Sequence, residues 1–177
     1  MSDQKHRRVD RIKDAAYVDG LAKLSLEDLR ARRDECLAER EYLSLLRRLV
    51  QGRAEILQAE LTARATGEDR GPLVDRLAQV LSAGDEHHGT SRGEAVRVGL
   101  PEEEMLLARR RIERLVADAG ISDPTELDDE RLASAVEVLS GEERVVSEDR
   151  HEVHRVLDVV QDELKRRYKE DPTLALQ

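Results

Sequence analysis

Leu29, Cys36, Leu43, Val50 and Leu57 recur at intervals of seven, and a matching column, Leu132, Leu139, Val146, Val153 and Val160, stands 103 positions further on. In a companion column Ala54 and Leu61 map in the same way onto Leu157 and Leu164. A seven-residue period held over five heptads marks helices that pack along a narrow apolar seam. Composition leaves such helices little competition. Aromatic residues make up 2% of the chain, with no Phe and no Trp, so sandwiches and barrels lack the side chains that build them. Four prolines and ten glycines in 177 residues leave long stretches without a breaker. The expected fold is all-α: a long antiparallel coiled-coil hairpin with a short helical insert at its hinge end.

Local signals divide the chain further. Residues 1–25 read as a mobile N-terminal arm with one short helix around Arg11–Val18. Ser25, with Asp28 three residues on, resembles a capping box and opens the first long helix, 26–66, a rod of about 60 Å. Gly67 and then Gly71-Pro72 end it. Within 67–127, residues 72–82 form a short amphipathic helix, 83–100 a flexible loop with His87-His88, and Pro101 to about Ala119 another helix closed by Gly120. The second long helix covers about 128–169, and 170–177 is a tail. An antiparallel pairing is preferred, because a parallel one needs a connection as long as the rod.

Charge and cysteine usage narrow the function classes. The net charge of −9 disfavours direct binding to DNA or RNA and suits a basic protein partner. Cys36 is the single cysteine, which excludes a disulfide framework and fits a reducing cytoplasm. No apolar run approaches the roughly 18 residues of a membrane span, and the first residues do not read as a signal peptide. A di-metal carboxylate site needs two Glu-x-x-His pairs; Glu148 and His151 make one, away from the seam. No phosphate loop or catalytic triad stands out, so the chain is not expected to be an enzyme, nor to hold a cofactor or metal.

Beside the seam the companion column turns polar at the same aligned place in both helices. Arg40, Ser44, Arg47, Gln51 and Glu55 follow one another in steps of four, three, four and four; so do Glu143, Ser147, Arg150, His154 and Asp158. Those steps hold each row on one helix face. Arg47 lies about 19 residues before the end of its helix and Arg150 about 22 after the start of its own, so folding back brings both rows to one level. Guanidinium groups suit phosphate or the guanine O6 and N7 edge, and carboxylates suit guanine N1–H and N2–H2. Two readings fit this chemistry: a two-fold guanine nucleotide site, and a solvated face laced with Arg–carboxylate pairs.

The segment Leu43-Ser-Leu-Leu-Arg-Arg-Leu-Val-Gln-Gly-Arg53, together with the second row, resembles the RsiG-type anti-sigma factors of spore-forming filamentous bacteria. Proteins of that family are antiparallel coiled coils whose helices each carry Glu-x3-Ser-x2-Arg-x3-Gln-x3-Asp. The resemblance implies a cyclic di-GMP dimer held between the helices and ligand-dependent capture of a WhiG-type sporulation sigma factor. The second row matches at Glu143, Ser147, Arg150 and Asp158, with His154 in place of Gln. The first matches at Ser44, Arg47 and Gln51 and departs at Glu55, a longer carboxylate, and at Arg40, where the charge is reversed.

The first helix also carries a second apolar band, Tyr42, Leu45, Leu49 and Ile56, about 100° from the seam. A two-helix hairpin cannot bury both. Either the inserted helices cover the band, or it is open to the sigma factor. Gly52, inside the helix, reads as a place of close backbone approach. A plain coiled-coil scaffold without a ligand is the competing function.

Overall fold

A computed structural model describes residues 6–67, 100–118, 120 and 126–176. The expected helix over 72–82 and the His87-His88 loop lie outside these residues. The helices are α1 (His6–Lys13), α2 (Leu26–Thr66), α3 (Glu102–Asp118) and α4 (Asp129–Glu170), with short 3-10 helices at Ala15–Tyr17 and Leu21–Lys23 between α1 and α2 and at Pro172–Leu176 after α4. The fold is all-α, and α2 and α4 form a helical hairpin. Both long helices start on the caps that the sequence supplies. The Asp28 amide donates to Ser25 Oγ (3.0 Å) and the Arg131 amide to Asp128 Oδ1 (2.8 Å). Gly67, just beyond α2, takes the left-handed φ of 63° that ends a helix readily only at glycine.

The residues fall into two compact units, one within Met1–Ser44 and Val146–Gln177, the other within Leu45–Val145. In the first unit, Leu29, Cys36 and Leu43 of α2 and Val146, Val153, Leu157, Val160 and Leu164 of α4 are all buried. Arg30 donates to the Tyr168 hydroxyl (3.1 Å) and to the Leu174 carbonyl (2.8 Å), while Arg150 reaches Ser44 (3.0 Å). Moving forward along α2 is therefore moving back along α4: the helices are antiparallel.

The N-terminal segment is not the mobile arm expected from its sequence. Its helix begins at His6 and ends at Lys13, earlier than Arg11–Val18, and Val9, Ile12, Tyr17 and Leu21 are buried. Leu21 joins Leu29, Val160 and Leu164 in one apolar cluster. Charges pin the segment to both long helices: Arg8 pairs with Glu39, Arg11 with Glu35, and Lys13 with Asp149 (2.6 Å). The Tyr17 hydroxyl donates to the Glu35 carboxylate (2.9 Å), and the Arg32 guanidinium lies 5.0 Å from the Tyr17 ring centre. Burial pushes the Tyr17 hydroxyl and the Cys36 thiol up, so both stay protonated at neutral pH. Four scattered apolar residues in a charged stretch do not read as a docked element, because their anchoring partners lie far away in sequence.

In the second unit Leu46, Val50 and Leu57 of α2 and Leu132, Ala135 and Leu139 of α4 are buried. Arg64 donates to Glu60 (2.9 Å), to Asp129 (3.0 Å) and to the Leu127 carbonyl (2.6 Å), and Arg47 pairs with Glu143 (3.0 Å). The sense is again antiparallel. The third helix contributes buried Ala108 and Ile112, and Arg111 ties it to Glu142 of α4 (2.7 Å). Gly52 is not a close approach: a Cβ there, or at Gly141, meets nothing within 4 Å.

Two stability predictions follow from this packing. Helical glycines with open space around them cost backbone entropy without a packing return, so Gly52→Ala and Gly141→Ala each stabilise the protein by about 0.5–1 kcal/mol in urea unfolding. In the first unit Glu163 accepts from Arg166 (2.8 Å) and Arg167 (3.0 Å), and Arg167 in turn donates to the Leu21 carbonyl (2.9 Å). The Arg166 and Arg167 guanidinium groups hold the Glu163 carboxyl at about 2, below the 4.5 of a free one. A depressed carboxyl stabilises the fold above its unfolded value and loses that contribution as pH falls through the folded one. Glu163→Gln is thus less stable than the wild type at pH 7, and the deficit shrinks between pH 4.5 and 2 in urea titrations followed by circular dichroism.

Candidate functional site

Each unit gathers part of both polar rows. In the first, Arg150 Nε donates to Ser44 Oγ (3.0 Å), and the same hydroxyl donates back along its helix to the Arg40 carbonyl (2.7 Å). The Arg40 guanidinium pairs with Glu41 (3.2 Å). Ser147 is half-buried, whereas Arg150, His154 and Asp158 are exposed. His154 Nδ1 stands 3.8 Å from Asp158 Oδ1, the outer limit of an ion pair. This cluster combines guanidinium, hydroxyl and imidazole groups on an accessible face.

In the second unit one oxygen organises the cluster. Glu143 Oε1 accepts from Arg47 (3.0 Å) and from the Gln51 amide (3.3 Å). Glu55, one turn beyond Gln51, is exposed. The Arg47 and Glu143 side chains keep 37% and 23% of their surface in solvent, so their ion pair is worth no more than about 1 kcal/mol. An incoming anion that offers Arg47 an equivalent acceptor displaces Glu143 at little loss.

Register places these groups. From Ser44 to Gln51 is seven residues forward on α2, and from Arg150 to Glu143, their respective partners, is seven back on α4. The heptad that buries the seam therefore also sets which row residues meet. Serine at 44 and 147, arginine at 47 and 150, and an amide or imidazole at 51 and 154 stand at matching steps along their helices, as the 103-residue offset requires. Taken separately, the first cluster has guanidinium and hydroxyl donors that suit a phosphate, and the second has the Arg, Gln and carboxylate groups that suit a guanine edge.

No residue of the second apolar band is fully exposed. Tyr42 is buried, one turn beyond the Glu39 that Arg8 reaches, and Leu45, Leu49 and Ile56 are half-buried. Among the described residues the exposed large apolar side chains lie elsewhere: Val138, Val145 and Val159 on α4 and Met105 and Leu106 on α3. The three valines stand at multiples of seven, a weaker column than that of the seam.

Among the described residues no three His, Cys, Asp or Glu side chains converge as a metal site, and no helix is long and apolar enough to cross a membrane. The model of the RsiG-like family matches residues 15–81. The matched span contains the first row, Arg40 to Glu55, and ends before α3, so the second row on α4 lies outside it. None of the curated proteins matches the chain.

Because these ion pairs are partly solvated and the seam carries the packing, Arg47→Ala and Arg150→Ala leave the helical circular dichroism signal unchanged and lower stability by about 1 kcal/mol or less.

Proposed function

We propose, from the match of residues 15–81 to the RsiG-like family, whose family-level role is anti-sigma activity, that this chain is a cyclic di-GMP-armed anti-sigma factor that sequesters a WhiG-type sporulation sigma factor in the cytoplasm. It is a binding module and not an enzyme, and cyclic di-GMP is its ligand, not a cofactor. The observation that carries this reading is the cross-helix meeting of the rows: Ser44 with Arg150 in one unit, and Arg47 and Gln51 with Glu143 in the other. A structural hairpin has no need to interrupt both apolar columns at the same place with arginine, serine and amide groups.

The mechanism assigns each group a part. Arg47 and Arg150 take the phosphates or the O6/N7 edge of guanine, where a planar fork gives paired hydrogen bonds. Ser44 and Ser147 supply hydroxyl donors, and Gln51 and His154 supply groups that both donate and accept. Glu55, Glu143 and Asp158 are acceptors for guanine N1–H and N2–H2. The bound dinucleotide neutralises the arginines and adds a planar surface to the hairpin for the sigma factor. Ligand and sigma factor then strengthen one another by the same factor.

One observation favours a second reading, an ungated scaffold. Arg47 is already satisfied by Glu143, as it is on a face that binds nothing. Calorimetry decides between them. The gated protein binds cyclic di-GMP, and its affinity for a WhiG-type sigma factor rises at least tenfold with the ligand present, a coupling within the usual allosteric range. Arg47→Ala and Arg150→Ala lose that gain while staying helical. Equal sigma affinities with and without nucleotide reject the gating, and sigma binding that survives both substitutions favours the scaffold.

A further inference from the structure

Among the described residues no carboxylate holds Arg150; its contact is with the neutral hydroxyl of Ser44 (3.0 Å). Yet an acid, Asp149, stands next to it in the chain. Elsewhere in this protein an arginine and an adjacent acid on the same helix do pair, Arg33 with Asp34 (2.8 Å) and Arg40 with Glu41 (3.2 Å). A guanidinium on its flexible stem reaches either neighbour. What sets Asp149 and Arg150 apart from those two pairs is α1. Lys13, at the end of that helix, donates to Asp149 Oδ1 (2.6 Å). Adjacent helical residues point about 100° apart, so a carboxylate turned to Lys13 leaves Arg150 free to face Ser44 on α2.

Lys13 is placed by packing as well as by its own ion pair. Val9 and Ile12 of α1 are buried, and Arg8 and Arg11 are tied to Glu39 and Glu35 of α2. The hydrogen bond to Asp149, aided by the charges of Asp10 and Glu152, pushes the Lys13 pKa up, so the ammonium stays charged. Glu152 in turn pairs with Arg155 (2.9 Å). All these groups lie in the first unit, and α1 ends before the residues that match the family model. We propose that Lys13 is a positioning residue for the anion site: by occupying the Asp149 carboxylate it keeps Arg150 open to a phosphate or a guanine edge. The inference rests on the cyclic di-GMP reading and adds to it a residue that touches no ligand. Docking of α1 is then a condition for a competent Arg150.

Titration calorimetry of the full chain with cyclic di-GMP, with circular dichroism to verify the helicity of each variant, tests the assignment. Lys13→Ala weakens nucleotide binding about two- to fivefold, the scale of one partly exposed ion pair. Lys13→Arg, which still holds Asp149, binds as the wild type does. Asp149→Asn alone binds no more weakly than the wild type, and in the Lys13→Ala background it restores the affinity, because no carboxylate remains to close Arg150. A clamp that served packing alone loses the same ion pair in Lys13→Ala and in Asp149→Asn. Equal weakening in those two variants therefore overturns the inference, as does an unchanged affinity in Lys13→Ala or a double variant that does not recover. In the nucleotide-free protein the Arg150 Nε–H proton resonance moves in Lys13→Ala and returns in the double variant; a resonance that stays put overturns the inference without recourse to ligand. A wild type that takes up no cyclic di-GMP overturns the underlying reading.

Discussion

Everything in the hairpin depends on burial of the two seven-residue columns. Leu29, Cys36, Leu43, Val50 and Leu57, and their counterparts Leu132 to Val160, are shielded from water almost completely. Each removes roughly 1.5–3 kcal/mol worth of apolar surface from solvent when the residue is Val or Leu. A slip of one heptad would keep apolar residues in contact but move Ser44 about 10 Å from Arg150. Register is thus set by matching each side chain to its opposite, and the polar rows inherit it.

Buried charge adds a second constraint. Glu39 and Glu60 lie in the interior and would be strongly destabilising without partners. Arg8 serves Glu39 from the N-terminal segment, and Arg64 serves Glu60 from one turn along the same helix. The pairing of Glu39 explains why the segment before α2 is folded down. An eight-residue helix is marginal in water by itself, so α1 exists through what it packs against: Ile12 and Val9 buried, and Glu35, Glu39 and Asp149 within reach of its basic residues.

Electrostatics at the rows is local. The chain as a whole carries −9, which repels an anionic ligand at long range, but screening limits that field to about 10 Å at 0.1 M salt. Within that distance each arginine meets its own partner, Arg40 the Glu41 carboxylate, Arg47 the Glu143 carboxylate and Arg150 the Ser44 hydroxyl. Their present partners are a hydroxyl or partly solvated carboxylates, and contacts of that kind exchange readily. Such contacts hold a guanidinium in place without committing it.

The amino-acid sequence by itself determined the helical class, the extent of α2 to the residue, α4 to within one, and the polar rows, because these are periodic and local: spacing decides which face a side chain occupies, and Ser25 and Gly67 mark the ends of α2. It did not reveal the docked N-terminal segment, the burial of Tyr42, the open space at Gly52, or the capture of Arg47 by Glu143. Each of those depends on a group more than twenty residues away, or on the absence of any neighbour, and periodicity carries no information about either. Tertiary structure alone decided them, since which charge meets which carboxylate is settled only when α1, α2 and α4 are brought together by their apolar seams.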